Sequence, residues 1–142
     1  MAGDLKMKYS FQFSLGAVGY SFIEILVRGY THWSMAVLGG LCLMLLCGIS
    51  RRFCSWNIGA QALLGAAGIT AAELCAGILL NHILGWNVWD YYAYPFNLWG
   101  QICPLFSFFW FLLCVPVFFA LRQVQKCLSP AVSDKHKTSA PS

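Results

Sequence analysis

GWNVWDYYAYPFNLWGQ, residues 85–101, is the one long aromatic and polar interruption in a chain that is otherwise apolar enough to sit in lipid. Trp86, Trp89, Tyr91, Tyr92, Tyr94, Phe96 and Trp99 are too greasy for free water. Non-helical backbone at membrane depth is tolerated only where protein covers it or where it lines a cavity, so the stretch reads as an interfacial or re-entrant loop. Pro95 keeps a helix from running through it, and Gly100 permits a tight turn into the next segment. Two roles fit such a loop. One is an aromatic belt that caps the protein; the other is a lid over an acidic site, with Asp90, Asn97 and Gln101 as polar contacts.

The chain on either side of this loop sets the fold. Of its 142 residues 59% are hydrophobic and only 10% are charged, against about 25% charged in soluble domains. Four segments reach the length of about 20 apolar residues that a bilayer core requires: 9–28, 34–50, 58–83 and 102–121. The expected fold is all-α, a single polytopic domain of four transmembrane helices over 9–121 with the aromatic loop before the last helix. Residues 1–8 form the N-terminus. Residues 122–142 are a basic tail, rich in Ser, Pro, Lys and Ala, with too few apolar residues to pack and so expected to be disordered. A cleaved signal peptide does not fit, because the first segment is longer than an h-region of about 7–15 residues and holds both Glu24 and Arg28.

Charge gives the orientation. Lys6, Lys8, Arg51, Arg52, Arg122, Lys126, Lys135 and Lys137 fall on one side of a four-span topology, and Arg28 alone falls on the other. The positive-inside rule then places both termini and the Arg51–Arg52 loop in the cytoplasm. Trp33, Trp56, Trp86 and Trp89 lie near the two interfaces, where indoles anchor helices. The net charge of +4 comes from these membrane borders and not from one patch, so it is no nucleic-acid signal. Cys42, Cys47, Cys75 and Cys114 lie in apolar segments, where a thiol behaves as a small hydrophobe. No CxxC pair exists, and no disulfide framework follows.

Acids inside apolar segments are the candidate chemistry. Ala17, Tyr20, Ser21, Glu24, Arg28 and Thr31 recur at three- and four-residue intervals and share one helical face. A polar face in a lipid-spanning helix has to look at protein or water. Glu24 and Arg28, spaced i,i+4, can pair directly, either as helix glue or as part of a site. Glu73 has no cation within a turn. It must borrow Arg28, accept a polar neighbour or stay protonated, because a lone acid near a helix centre costs about 2.5–3.5 kcal/mol on insertion scales. Gly68, Ala72 and Ala76 beside it form a small-xxx-small run that admits another helix closely. If Glu24, Glu73 and Asp90 converge, they outnumber Arg28 and the site favours a cation or protons.

Other chemistry is excluded or weak. No GxxxxGK[ST] and no GxSxG occurs, so neither P-loop nucleotide hydrolysis nor a serine hydrolase is indicated, and no nucleophile–base pair suggests an enzyme. His32, His82, Asp90 and Cys103 match no zinc-ligand spacing, and no metal or other cofactor is expected. Phe106, Phe108, Phe109, Trp110 and Phe111 read as lipid-facing or packing aromatics. Pro104 and Pro116 mark an end and a kink of the last segment. Gly19-x4-Glu24 and Gly68-x4-Glu73 hint at a repeat of two helical hairpins, an arrangement that tends to place sites at the repeat interface.

Trp89-Asp90-Tyr91, then Pro95-Phe96-Asn97-Leu98, Gly100-Gln101-Ile102-Cys103, Ser107 and Trp110 resemble the pattern of the ABC-transporter type IV (CmpB-like permease) membrane proteins. The resemblance spans 14–121 and includes Glu24 and Glu73. Tyr92 and Pro104 depart from it, where a small residue and a leucine are expected. It implies a permease or permease-like subunit of an ABC-type transporter in a bacterial inner membrane, with a partner ATPase or a homo-oligomer completing the path. The chain is much shorter than a usual ABC permease, and no coupling helix is visible in the Arg51–Trp56 loop. On this reading Glu24 and Glu73 bind the cation or protons, Arg28 is their counter-ion and Asp90 stands at the entrance; Trp89, Tyr91, Pro95, Asn97 and Gln101 shape the loop. The alternatives are a self-sufficient homo-oligomeric, proton-coupled exporter of small cations and a non-transport membrane assembly module.

Overall fold

In a bilayer each backbone N–H and C=O needs a partner within the chain, which makes a helix the solution for each isolated apolar run. The computed structural model describes the backbone of residues 2–137 and the side chains of residues 8–127. It has four helices, all long and apolar enough to cross a membrane: α1 (Ala2–Arg28), α2 (Trp33–Arg52), α3 (Ile58–Gly77) and α4 (Pro104–Lys137). A π-helical turn, Ile78–Ile83, extends α3. Among the described residues there is no β-strand, only an isolated bridge between Leu98 and Ile102.

Local chemistry sets the helix ends. Gly29, at φ +81°, stops α1, the left-handed position that glycine takes after a helix. The His32 ring nitrogen Nδ1 accepts from the Ser34 amide at 3.3 Å and caps α2. Asn57 Oδ1 accepts from the Ala60 amide at 2.7 Å and caps α3. Pro104 opens α4, a position at which its missing N–H costs nothing. The helix then runs through Pro116 and past Leu121, where the sequence ended the span, to Lys137. The first part of the expected tail is thus helical; residues 138–142 lie outside the described residues.

The helix α2 is the centre of the bundle: 56% of its most apolar window is buried, against 11% for α1. Met35, Leu38, Cys42, Leu46 and Ile49 of α2 meet Ala62 and Ile69 of α3 and Cys114 and Phe118 of α4. Among the described residues the backbone of α1 packs on α2 and on no other helix, while α3 packs on α2 and α4. Lipid-facing positions of α1, Phe11, Leu15, Val18, Phe22 and Leu26, stay exposed at three- and four-residue spacing. At the terminal end, Gln61 Nε2 donates to the Phe53 carbonyl at 2.7 Å, Gln125 Nε2 to Ser50 Oγ at 3.0 Å, and Arg122 to the Trp56 carbonyl.

Glycine makes the α1–α2 contact. A Cβ at Gly39 would lie 2.2 Å from the Tyr20 Cβ, and one at Gly16 would lie 2.5 Å from the Gly39 carbonyl oxygen. Small residues let membrane helices approach in this way. Gly39→Ala is expected to cost about 1–3 kcal/mol, the usual range for overpacking, and to lower the unfolding midpoint in detergent. Gly19→Ala, on α1 with nothing within 4 Å of its Cβ, is expected to leave that midpoint unchanged or raise it. Equal midpoints for the two variants would refute the tight α1–α2 seam.

Candidate functional site

Glu73 sits near the C-terminal end of α3, inside the apolar span Ile58–Ile83, and is 2% exposed. Its Oε1 accepts from the Tyr20 hydroxyl of α1 at 3.1 Å, and its Oε2 accepts from the Trp110 indole N–H of α4 at 3.0 Å. The Tyr20 and Trp110 rings stack, with centroids 5.4 Å apart and planes at 23°. Polar neighbours, one of the options the sequence left open for Glu73, are observed, and Arg28 is not its direct partner. Trp110 therefore does more than face lipid or pack. Its N–H serves an acid 37 positions away in the chain, a pairing that no local pattern announces.

Arg28 goes to Glu24 instead. Its Nη1 lies 2.8 Å from Glu24 Oε1, and Thr31 Oγ1 donates to Glu24 Oε2 at 2.7 Å. Arg28 Nη2 donates to the Val88 carbonyl at 3.0 Å and to the Tyr30 hydroxyl at 3.3 Å, which ties the top of α1 to the loop. Of the stripe expected from helical spacing, Glu24 and Arg28 pair on α1, Thr31 joins them from beyond the end of that helix, and Tyr20 turns separately to Glu73.

The stripe borders a groove of about 500 Å³ between α1 and α4. Tyr20 and Trp110 form its inner wall, Ile23, Val27, Leu105 and Leu113 supply apolar sides, and Glu24 and Arg28 stand at the loop end. Tyr91 and Tyr94 reach over it from the loop, and Phe106 and Phe109 flank it from α4. Tyr91 stacks on Phe106 with centroids 4.5 Å apart. Burial, and then the nearby Glu73 carboxylate, pushes the Tyr91 phenol well above its usual pKa, so it presents a neutral ring. A larger cavity of about 660 Å³ lies between α3 and α4, lined by Ala66, Thr70, Ala71, Ser107 and Phe111 among others. Its Thr70 and Ser107 hydroxyls hydrogen-bond each other at 2.9 Å. It has no charged group, and so it offers less chemistry.

Glu24, Arg28 and Tyr91 line the first groove, and Glu73 lies behind its wall, hydrogen-bonded to Tyr20 and Trp110. The other predicted loop residues hold the loop itself. Asp90 Oδ1 accepts from the Tyr92 amide at 2.8 Å, and Asn97 Nδ2 donates to the Tyr94 carbonyl at 2.9 Å while its Oδ1 accepts from the Gly100 amide at 3.1 Å. Trp89 Nε1 donates to the Gln101 carbonyl at 3.0 Å, and Gln101 Nε2 donates to the Trp99 carbonyl at 3.0 Å. Pro95 lies at the exposed tip. Gly100 has φ +67°, and a Cβ there would lie 2.5 Å from the Tyr92 ring. Among the described residues no group of three His, Cys, Asp or Glu side chains is placed to hold a metal ion.

Sequence reasoning missed Asn81. Its Nδ2 donates to the Trp89 carbonyl at 2.9 Å and to Gln101 Oε1 at 2.7 Å, while its Oδ1 accepts from the Val88 amide at 2.7 Å. The signal was an amide in the last apolar turn before Gly85. The π-helical turn matters here, because one wider turn changes which side chains face the loop; such turns are frequent at functional sites.

Four helices long and apolar enough to span, with an ion pair and a buried acid beside a groove between two of them, define a multi-pass membrane protein. The chain belongs to the family described as Putative ABC-transporter type IV, whose profile matches residues 18–139. The resemblance read around Trp89–Trp110 holds, and the match continues beyond residue 121, where that resemblance ended. No curated protein and no solved structure matches this chain.

Asn81→Ala removes three hydrogen bonds. It is expected to speed amide exchange across residues 85–101 and to cost about 1–3 kcal/mol, the range for leaving buried polar groups unsatisfied. Exchange in α2 should not change. An unaltered loop would mean that Asn81 is incidental to its shape.

Proposed function

We propose that this protein is the membrane-embedded permease, or a permease-like subunit, of an ABC-type transport system. In this reading Glu24 and Arg28 contact the transported species in the α1–α4 groove, Glu73 sets the charge behind its wall, and Asp90 stands at the outer entrance. The observation that carries the reading is the Glu24–Arg28 pair facing a cavity within the spans. Arg28 keeps a 24% exposed side chain, whereas a pair that only glued helices together would be sealed. Ionisable residues at such positions mark substrate or ion paths by default. The family membership supports the same reading.

Four helices of this length enclose little space, and the chain carries no GxxxxGK[ST] motif. An ATP-driven function therefore needs a partner ATPase and a path completed by that partner or by further copies. The charge asymmetry of the loops favours both termini in the cytoplasm, and the family membership suggests a bacterial inner membrane. Native mass spectrometry of gently extracted membranes is expected to show the protein with an ATPase in fixed ratio. A homo-oligomer without an ATPase would sink the subunit reading.

One observation favours a second reading, a proton-coupled exporter: among the described residues Glu73 has neutral donors only. Under this reading Glu73→Gln abolishes coupled transport in proteoliposomes energised by a pH gradient alone. Under the subunit reading no transport occurs there without ATP and the partner.

A further inference from the structure

We propose that the α1–α4 groove binds a lipophilic, monovalent organic cation drawn from the bilayer. This rests on the reading of that groove as the substrate site, and it names the class of substrate.

The walls are the first argument. Tyr20, Tyr91, Tyr94, Phe106, Phe109 and Trp110 all border the groove. Aromatic faces carry negative potential and attract cations, most strongly where water is excluded. Two of these rings are polarised further, because the Tyr20 O–H and the Trp110 N–H both donate to the Glu73 carboxylate. A hydrogen bond to a carboxylate pushes electron density into the donor's ring, and such bonds reinforce one another at low dielectric. Glu73 thus acts on the groove through its wall, as a positioning and polarising residue that does not contact the ligand.

The charge balance agrees. Glu24 and Arg28 offset each other at 2.8 Å. Glu73 has no basic partner among the described residues, so the groove carries no net positive charge, and a cation is favoured over an anion. The ligand's body follows from the remaining wall. A bare metal ion of the hard class needs six or more oxygen ligands, whereas Ile23, Val27, Leu105 and Leu113 supply hydrocarbon. The volume of about 500 Å³ fits a small organic molecule, for which pockets run from about 300 to 1,000 Å³. Access is lateral. The backbones of α1 and α4 do not pack on each other, and Val27, Leu105 and Phe109 are exposed along the gap, so the groove opens on the surface that lipid covers.

The test uses the full chain in nanodiscs and measures equilibrium binding of tetraphenylphosphonium and of tetraphenylborate, its counterpart of the same shape and opposite charge. Saturable binding of the phosphonium is expected, with the borate showing only bilayer partition. Phe109→Ala, at a half-exposed position, is expected to weaken the phosphonium about tenfold, the loss of one desolvated cation–π contact. Glu73→Gln is expected to weaken it at least as much while leaving the helical circular dichroism unchanged. Saturable binding of both ions with similar affinity would overturn the proposal in favour of a groove for any lipophile, an acyl chain included. Phosphonium affinity unchanged in Phe109→Ala would overturn it too, and that variant decides the matter even if Glu73→Gln does not fold. An ATPase that co-purifies without phosphonium binding removes this inference and leaves the subunit reading; phosphonium binding without an ATPase does the reverse.

Discussion

The structure depends on a carboxylate that pairs with no cation among the described residues. Glu73 lies 2% exposed in an apolar span, where a lone acid costs about 2.5–3.5 kcal/mol on insertion scales. A phenol from α1 and an indole from α4 offset that cost, and in doing so they join α1, α3 and α4 at one point. The joint matters most for α1. Among the described residues its backbone packs on α2 and on no other helix, so Tyr20 on Glu73 and Arg28 on the Val88 carbonyl are what bind it to the other half of the molecule.

Side-chain size decides which helices touch and which stand apart. Where α1 meets α2, Gly16, Gly39 and Gly40 leave no room for a Cβ, and the two helices close on each other. Where α1 faces α4 the residues are Tyr20, Ile23, Val27, Phe106, Phe109 and Trp110. Large rings braced by a hydrogen-bonded acid cannot collapse to fill the gap, so a groove persists. Tight contact on one side of α1 and separation on the other thus have a common cause in residue volume.

The loop shows how polar residues divide between framework and site. Asn87, Phe96 and Trp99 hold positive φ angles of 47°, 59° and 51°, a conformation that costs roughly 1–3 kcal/mol for a residue other than glycine. Asn81, Asp90, Asn97 and Gln101 hydrogen-bond to the backbone around them, and this over-determines the chain path. Their polarity stabilises the loop, whereas Tyr91 and Tyr94 supply the surfaces that meet the groove.

The four spans and the i,i+4 pairing of Glu24 with Arg28 were legible in the chain, because both follow from periodicity and composition within one segment. The family pattern around Trp89–Trp110 was legible for the same local reason. The partners of Glu73, the framework role of Asn81 and the groove itself were not. Each joins residues that are far apart in sequence, and which rings face one another depends on how closely the glycines let α1 approach α2 and on the register in which α4 returns. Periodicity gives the face of a helix; only packing gives what that face meets.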